Sequence, residues 1–137
     1  VVHAIGRKPV EPHGAMVADF LLWHAEPRGY SWGQFGSCAL MAARQVFIAA
    51  GGFDESFRRC AEWDLAVRLA FAGAHFIAVD APLVNQHLTP TQDKAGKVPL
   101  EYALKLREKH KDYLKRRLAY HGARFVAHSR FYYARGY

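Results

Sequence analysis

Apolar residues fall in short blocks separated by glycine, proline and polar residues, and three of these blocks favour β-strands. Each of the three is rich in β-branched or small apolar residues and is bounded by residues typical of turns. The predicted strands are residues 1–6 (VVHAIG), 36–43 (GSCALMAA) and 74–80 (AHFIAVD). The chain between them is long enough to form helices.

Four other blocks carry an apolar spacing that fits helices. Gly51 and Gly52 follow the second block and Gly73 follows the third, as left-handed C-terminal caps do. The predicted helices cover residues 16–24, 44–50, about 62–71, and 100 to at least 121, where Gly122 permits a break. Strands that alternate with helices over short connections predict an α/β fold, with a mixed sheet flanked by helices.

The net charge of +7 is concentrated at one end of the chain. Residues 1–100 contain nine Lys/Arg and nine Asp/Glu, whereas residues 101–137 contain ten and three. We therefore divide the chain into a domain at 1–99 and a basic, aromatic-rich helical tail at 100–137. Three interpretations of the tail stay open: a solvated helical face, attachment to an anionic membrane surface, or binding of nucleic acid, for which no recognised motif is present.

The composition limits the class of protein. With 51% hydrophobic residues among 137, the chain can form one compact core. Its apolar runs are too short or too charged to span a bilayer. The two cysteines, Cys38 and Cys60, form no CxxC pair, which favours reduced thiols and a cytoplasmic location. Because the sequence opens without a signal peptide or an initiator Met, we expect a fragment of a longer protein.

Four carboxylates lie close together in "GGFDESFRRCAEWD", at Asp54, Glu55, Glu62 and Asp64. Structural roles account for each of them: Asp54 caps a turn, Glu55 faces solvent, and Glu62 and Asp64 gain about 0.3–1 kcal/mol in the first turn of a helix. Asp64 and Arg68 also have the i,i+4 spacing of a helical ion pair. The same residue types can act in acid–base catalysis, and the residues alone leave the alternatives open.

The stretch "ALMAARQVFIAAGGFDESFRRCAEWDLAVRLAFAG" resembles the acceptor-side segment of family 2 glycosyltransferases with the GT-A fold. "HFIAVDAPLVNQH" and "EKHKDYL" continue in that family's order, so the resemblance covers about residues 35–114. It implies a partial GT-A-like domain, with the mixed sheet of that fold. It also implies a hexosyl transfer of the inverting type, from a nucleotide-sugar donor to a hydroxyl of a glycan or lipid-linked acceptor, as in cell-envelope polysaccharide synthesis.

The resemblance also implies roles for individual residues. Glu62 falls on the catalytic base, and we include Asp64 as a second catalytic candidate. The family's pair of acids falls here on Ala61 and Glu62, so its first acid is missing. The candidates for binding the sugar or acceptor are Trp63, Trp32, Gly51, Gly52 and Asp54.

The donor side is less complete in this sequence. Lys94 and Lys97 are candidates for the donor diphosphate, and His87 is the candidate ligand for a divalent metal, Mn²⁺ or Mg²⁺. The DxD motif that binds this metal in the family is absent from the chain. We therefore expect the fragment alone to be inactive or nearly so. We expect the enzyme to work in the cytoplasm or at the inner face of the membrane. The alternative is a non-catalytic module that binds glycan, anionic membrane or nucleic acid.

Overall fold

The computed structural model describes residues 14–26, 28, 36–77, 85 and 96–136, and this part of the chain is helical. Six α-helices follow one another, with a short 3₁₀ turn at Ser37–Ala39. The helices are α1 (Ala15–Trp23), α2 (Arg44–Ala49), α3 (Ala61–Phe71), α4 (Val98–Lys109), α5 (Lys111–Arg116) and α6 (Tyr120–Tyr133). None of the helices in these ranges is long and apolar enough to cross a membrane.

The predicted α/β fold, with a GT-A-like mixed sheet, is wrong for this part of the chain. The described residues contain no β-strand, only an isolated bridge position at His75. Residues 36–43 form the 3₁₀ turn and an extended segment in which Met41 is 90% exposed. Residues 74–77 are not a strand either, and Ile77 is 72% exposed. The predicted strand at 1–6 and residues 78–80 lie outside the described residues.

The physical reason lies in what an apolar run can specify. A run of small or β-branched residues becomes a strand only when a neighbouring strand pairs with its backbone N–H and C=O groups. In the described residues no strand stands beside 36–43, and 74–77 reaches only the bridge position at His75. Gly36 and Ser37 instead favour a local turn, which satisfies part of the backbone without a partner.

Helix α1 lies at the centre of the core, as its sequence suggests. Val17, Leu21 and Leu22 are completely buried, and the helix packs against α3 and α6. Its one carboxylate, Asp19, is only 6% exposed and accepts hydrogen bonds from the Tyr113 hydroxyl and the Arg117 guanidinium, both at 2.6 Å. These bonds attach α5 to the side of α1.

Two predicted helices and their glycine caps are confirmed. Helix α2 ends at Ala49, and Gly51 and Gly52 follow with φ of 78° and 65°, a conformation that glycine adopts without a steric penalty. The Gly52 N–H donates to the carbonyl of Phe47 at 2.9 Å, which closes the cap. Helix α3 then begins at Ala61 and buries Leu65, Ala66 and Leu69 in the core.

The tail is divided into three helices rather than one. Helix α4 ends at Lys109. A second break at Leu118, with φ of 54°, separates α5 from α6, and Gly122 lies inside α6. The breaks let α6 fold back against α4 and α1. Buried Arg107 fixes this arrangement, since its Nε donates to the carbonyl of Ala123 on α6 at 2.7 Å. The division into a domain at 1–99 and a tail at 100–137 stays a prediction.

Candidate functional site

The predicted site residues gather where α3 begins, beside the turn that precedes it. Asp64 is in the first turn of α3 and is completely buried. The end of α4 supplies two further side chains, Lys109 and His110. We call the five residues that meet here the Asp64 junction: Asp54, Asp64, Arg68, Lys109 and His110.

Each carboxylate oxygen of Asp64 has a partner. Oδ1 lies 2.9 Å from Nε2 of His110, and Oδ2 accepts hydrogen bonds at 2.9 Å from Nε of Arg68 and from Nζ of Lys109. Burial raises the pKa of Asp64, but the hydrogen bonds from His110, Lys109 and Arg68 outweigh it and lower the pKa to about 2. A carboxylate held in this way stays ionised and is a weak proton acceptor.

Arg68 carries the effect of Asp64 to the glycine turn. Its Nη2 donates to the carbonyl of Gly52 at 2.6 Å, and its Nη1 donates to the carbonyl of Ala50. The last carbonyls of α2 have no partner within the helix, so the guanidinium satisfies groups that a helix end leaves open. Asp64 thus orients an arginine that fixes the conformation of Gly51 and Gly52.

Asp54 forms the outer part of the junction. Its Oδ1 accepts the N–H of Ser56 at 2.9 Å, which confirms the predicted turn cap, and its Oδ2 accepts Nζ of Lys109 at 2.7 Å. The bond from Lys109, followed by those from Ser56, lowers the pKa of Asp54. Partial burial lowers the pKa of Lys109, but its bonds to Asp54 and Asp64 outweigh burial and raise it. One ammonium therefore bridges two carboxylates.

Glu62 differs from Asp64 although only two residues separate them. Its side chain is half-buried and makes no hydrogen bond or ion pair with any residue in the described ranges. It lies near the Cys60 thiol, whose pKa is raised to about 11 by burial and then by the charge of Glu62. Two described clefts, one beside α2 and one on α6, are not lined by Glu62. Among the described residues, Glu62 is thus a carboxylate without a cationic partner.

The structure describes only some of the other predicted site residues. Trp63 is half-buried against the core, with its ring 6.0 Å from that of His24 in an edge-on contact. Lys97 is exposed just before α4, and its side chain makes no hydrogen bond to the junction. Trp32, His87 and Lys94 lie outside the described residues, so their predicted roles stay predictions. The structure connects Gly52, Asp54 and Asp64 through Arg68 and Lys109, whereas Glu62 and Trp63 are their neighbours in sequence only.

The sequence interpretation missed the residues that α4 contributes. Lys109 and His110 belong to the predicted basic tail. Lys105, on the same helix, donates to the Ser56 carbonyl at 2.7 Å. The available signal was charge balance, because buried or clustered carboxylates need cations and the tail has the excess. Nothing in the spacing indicates which cations meet them.

A divalent metal does not fit the residues described. No group of three His, Cys, Asp or Glu side chains in the described ranges is arranged to hold an ion. The carboxylates that do approach each other, Asp54 and Asp64, already share the Lys109 ammonium. A second cation would have to displace that ammonium against its repulsion, so no step is derived through a metal here.

Comparisons with known proteins found no match: no family profile, no curated protein and no solved structure is similar to this chain.

Proposed function

We propose that this chain forms the acceptor side of a glycosyltransferase, with Glu62 as the general base. The observation that carries the proposal is the difference between two neighbouring carboxylates. Asp64 is fully buried and bonded to Arg68, Lys109 and His110, whereas Glu62 is partly accessible and has no cationic partner in the described residues. A base must be able to receive a proton, and of the two only Glu62 is free of ion pairs.

The proposed reaction assigns each group one task. Glu62 accepts the proton of an acceptor hydroxyl as its oxygen attacks the anomeric carbon of a nucleotide sugar, and the bond from that carbon to the diphosphate oxygen breaks. The diphosphate leaves with the bonding electrons, and because the hydroxyl attacks from the opposite face of the anomeric carbon, the new linkage has the inverted configuration. The Asp64 junction holds the Gly51–Gly52 turn and the start of α3 in fixed positions, so that Glu62 is presented from a rigid helix end.

Several expectations about substrates belong to this proposal without support from a described contact. They are the nucleotide-sugar donor, the glycan or lipid-linked acceptor, and the divalent metal. The same holds for the proposed diphosphate contacts of Lys94 and Lys97 and for metal binding by His87. The proposal concerns the acceptor side, and it stands or falls on Glu62.

The test is a nucleotide-sugar screen on the full-length protein, with and without Mn²⁺, followed by the same assay on Glu62→Gln. Glutamine keeps the shape of the side chain but cannot take a proton, so turnover should fall by about 10²–10⁴-fold while donor binding is kept. Glu55→Gln is the matched control, because Glu55 is exposed and close in sequence. Unchanged turnover in Glu62→Gln would eliminate Glu62 as the base.

A second candidate is a glycan-binding module without catalysis. The observation in its favour is Ala61, which stands where the resembling family has the first acid of its pair. This alternative predicts that no donor is turned over under any condition of the screen, while an acceptor glycan still binds and protects the protein from unfolding. Turnover that depends on Glu62 would exclude it.

A further inference from the structure

Helix α6 buries its small residues and exposes its large apolar ones, the reverse of an ordinary surface helix. Its inner side is made of Ala123 and Ala127, which are 0% and 6% exposed. Phe125 and Tyr133 are 71% and 85% exposed. A helix that merely packs on a core directs its large apolar side chains inward. The outward rings of α6 therefore indicate a surface that contacts something else.

Two of the exposed apolar residues lie on one side of α6. Phe125 and Tyr132 are seven residues apart, which is two helical turns, so they project from the same side of the helix. Leu118 lies in the break just before α6 and is 97% exposed. Its φ of 54° is costly for a leucine, and the strained turn holds the side chain in solvent. We call Leu118, Phe125, Tyr132 and Tyr133 the outer face of α6.

The segment that forms the outer face is basic, although Glu108 on α4 accepts a hydrogen bond from the Tyr120 hydroxyl at 2.6 Å and lies near Arg124. Residues 113–136 contain six Lys/Arg and no Asp/Glu. Arg117 is paired with Asp19 on α1, whereas Arg124 and Arg135 lie over the rings of Tyr120 and Phe131, at 5.6 and 3.8 Å. Arg135 also donates through Nη2 to the Gly96 carbonyl at 2.8 Å, so part of its donor capacity is used. Both arginines keep their positive charge, which attracts an anion.

A shallow cleft on the same helix adds a site for an anionic group. It has a volume of about 340 Å³ and is lined by Ser129, Arg130, Tyr133 and Ala134. Arg130 is exposed and supplies a guanidinium, which suits the oxygens of a phosphate. The cleft opens beside Tyr133, so a phosphate bound there would be next to the outer face of α6.

We propose that the outer face of α6 docks on an anionic lipid bilayer, with α6 lying along the interface. Leucine and aromatic side chains enter the boundary between head groups and acyl chains, while the arginines contact lipid phosphates. Nucleic acid is the weaker match, because an exposed leucine gains little from bases or phosphates. The described helices offer no span across the membrane, so the attachment is peripheral. This inference does not depend on the proposed function.

The experiment is co-sedimentation of the full chain with vesicles of pure phosphatidylcholine and with vesicles of equal parts phosphatidylcholine and phosphatidylglycerol. We expect binding to the anionic vesicles that weakens as salt is raised, and little binding to the neutral ones. Leu118→Ser combined with Phe125→Ser should weaken binding roughly tenfold, since large apolar area stays in water. Arg124→Glu changes the charge by two units and should weaken it about thirtyfold.

Matched controls separate the surface from general properties of the chain. Met41→Ser combined with Ile77→Ser removes residues that are 90% and 72% exposed but lie outside α6, and it should leave vesicle binding unchanged. Arg58→Glu, at an exposed position in the turn before α3, controls for net charge. Circular dichroism shows whether each variant keeps its helices.

Four outcomes overturn the proposal. They are no binding to anionic vesicles, equal loss in the control variants, full displacement by inorganic phosphate, and a tighter complex with single-stranded oligonucleotide than with vesicles. A dimer that is detected by sedimentation velocity and lost in the Leu118→Ser/Phe125→Ser variant would also overturn it, because the outer face would then join two copies. The assay contains no sugar donor, so failure of the proposed transferase reaction leaves its result unaffected.

Discussion

The Asp64 junction and the outer face of α6 use the same cationic residue types in opposite ways. At the junction, Lys109 and Arg68 are bonded to buried or partly buried carboxylates, and both helices that meet there depend on these bonds. On α6, Arg124 and Arg135 lie over aromatic rings, and neither forms an ion pair within the described residues. The net charge of a segment therefore does not indicate its role. The position of the compensating charge does.

Removing the buried carboxylate should have the largest effect on the stability of the junction. Asp64→Asn leaves Arg68, Lys109 and His110 around a neutral side chain, so we expect the free energy of unfolding to fall by about 3 kcal/mol or more. Urea unfolding followed by circular dichroism measures the change. Asp112→Asn, at an exposed position on α5, is the control and should change stability by less than about 0.5 kcal/mol. A wild-type midpoint in Asp64→Asn would show that the junction is not a stabilising unit.

Acid should act on the junction in the same direction but more weakly. The pKa of Asp64 is lowered from 3.8 to about 2, so its contribution to stability is complete above about pH 4 and is lost as the pH falls toward 2. The lost stabilisation is roughly 2 kcal/mol. The lowered pKa of Asp54 acts with the same sign.

The measurement compares urea unfolding of wild type and Asp64→Asn across that acid range. The wild-type protein should lose more stability than the variant, because the variant has no carboxylate at residue 64 to protonate. Parallel curves for the two proteins would mean that other groups cause the acid sensitivity.

Local signals carried the successful part of the sequence interpretation. Gly51 and Gly52 mark the end of α2 because the left-handed cap conformation is determined within a few residues. The i,i+4 spacing of Asp64 and Arg68 predicts their ion pair for the same reason, and the pair is confirmed. The Asx turn at Asp54 depends on two neighbouring residues and is confirmed as well.

Contacts between distant parts of the chain could not be obtained in this way. Lys109 and His110 reach Asp64 from 45 and 46 residues away, and no sequence period connects such positions. The break at Leu118 is a left-handed helix cap, in which the Ala119 N–H donates to the Leu114 carbonyl at 2.8 Å, but no glycine or proline stands there to indicate it in the sequence. The strand predictions failed because a strand depends on a partner that the run itself does not contain.

The smallest expected effect separates the two regions most directly. Lys109→Met removes a bridge between Asp54 and Asp64, but Asp64 keeps Arg68 and His110, so we expect a loss of about 1 kcal/mol in the free energy of unfolding. Arg116→Met removes an exposed cation that forms no ion pair in the described structure and has Lys115 and Arg117 as its chain neighbours. Its stability should be unchanged within about 0.3 kcal/mol, or slightly raised, because repulsion decreases. Urea unfolding at low and high salt measures the stability of both variants. Added salt should remove any gain in the stability of Arg116→Met. Most of the stability loss in Lys109→Met should persist, because the Asp64 carboxylate is buried. If Arg116→Met lost as much stability as Lys109→Met, the cations of the tail would stabilise the fold in the same way as those of the junction, and the distinction between paired and outward-facing charge would fail.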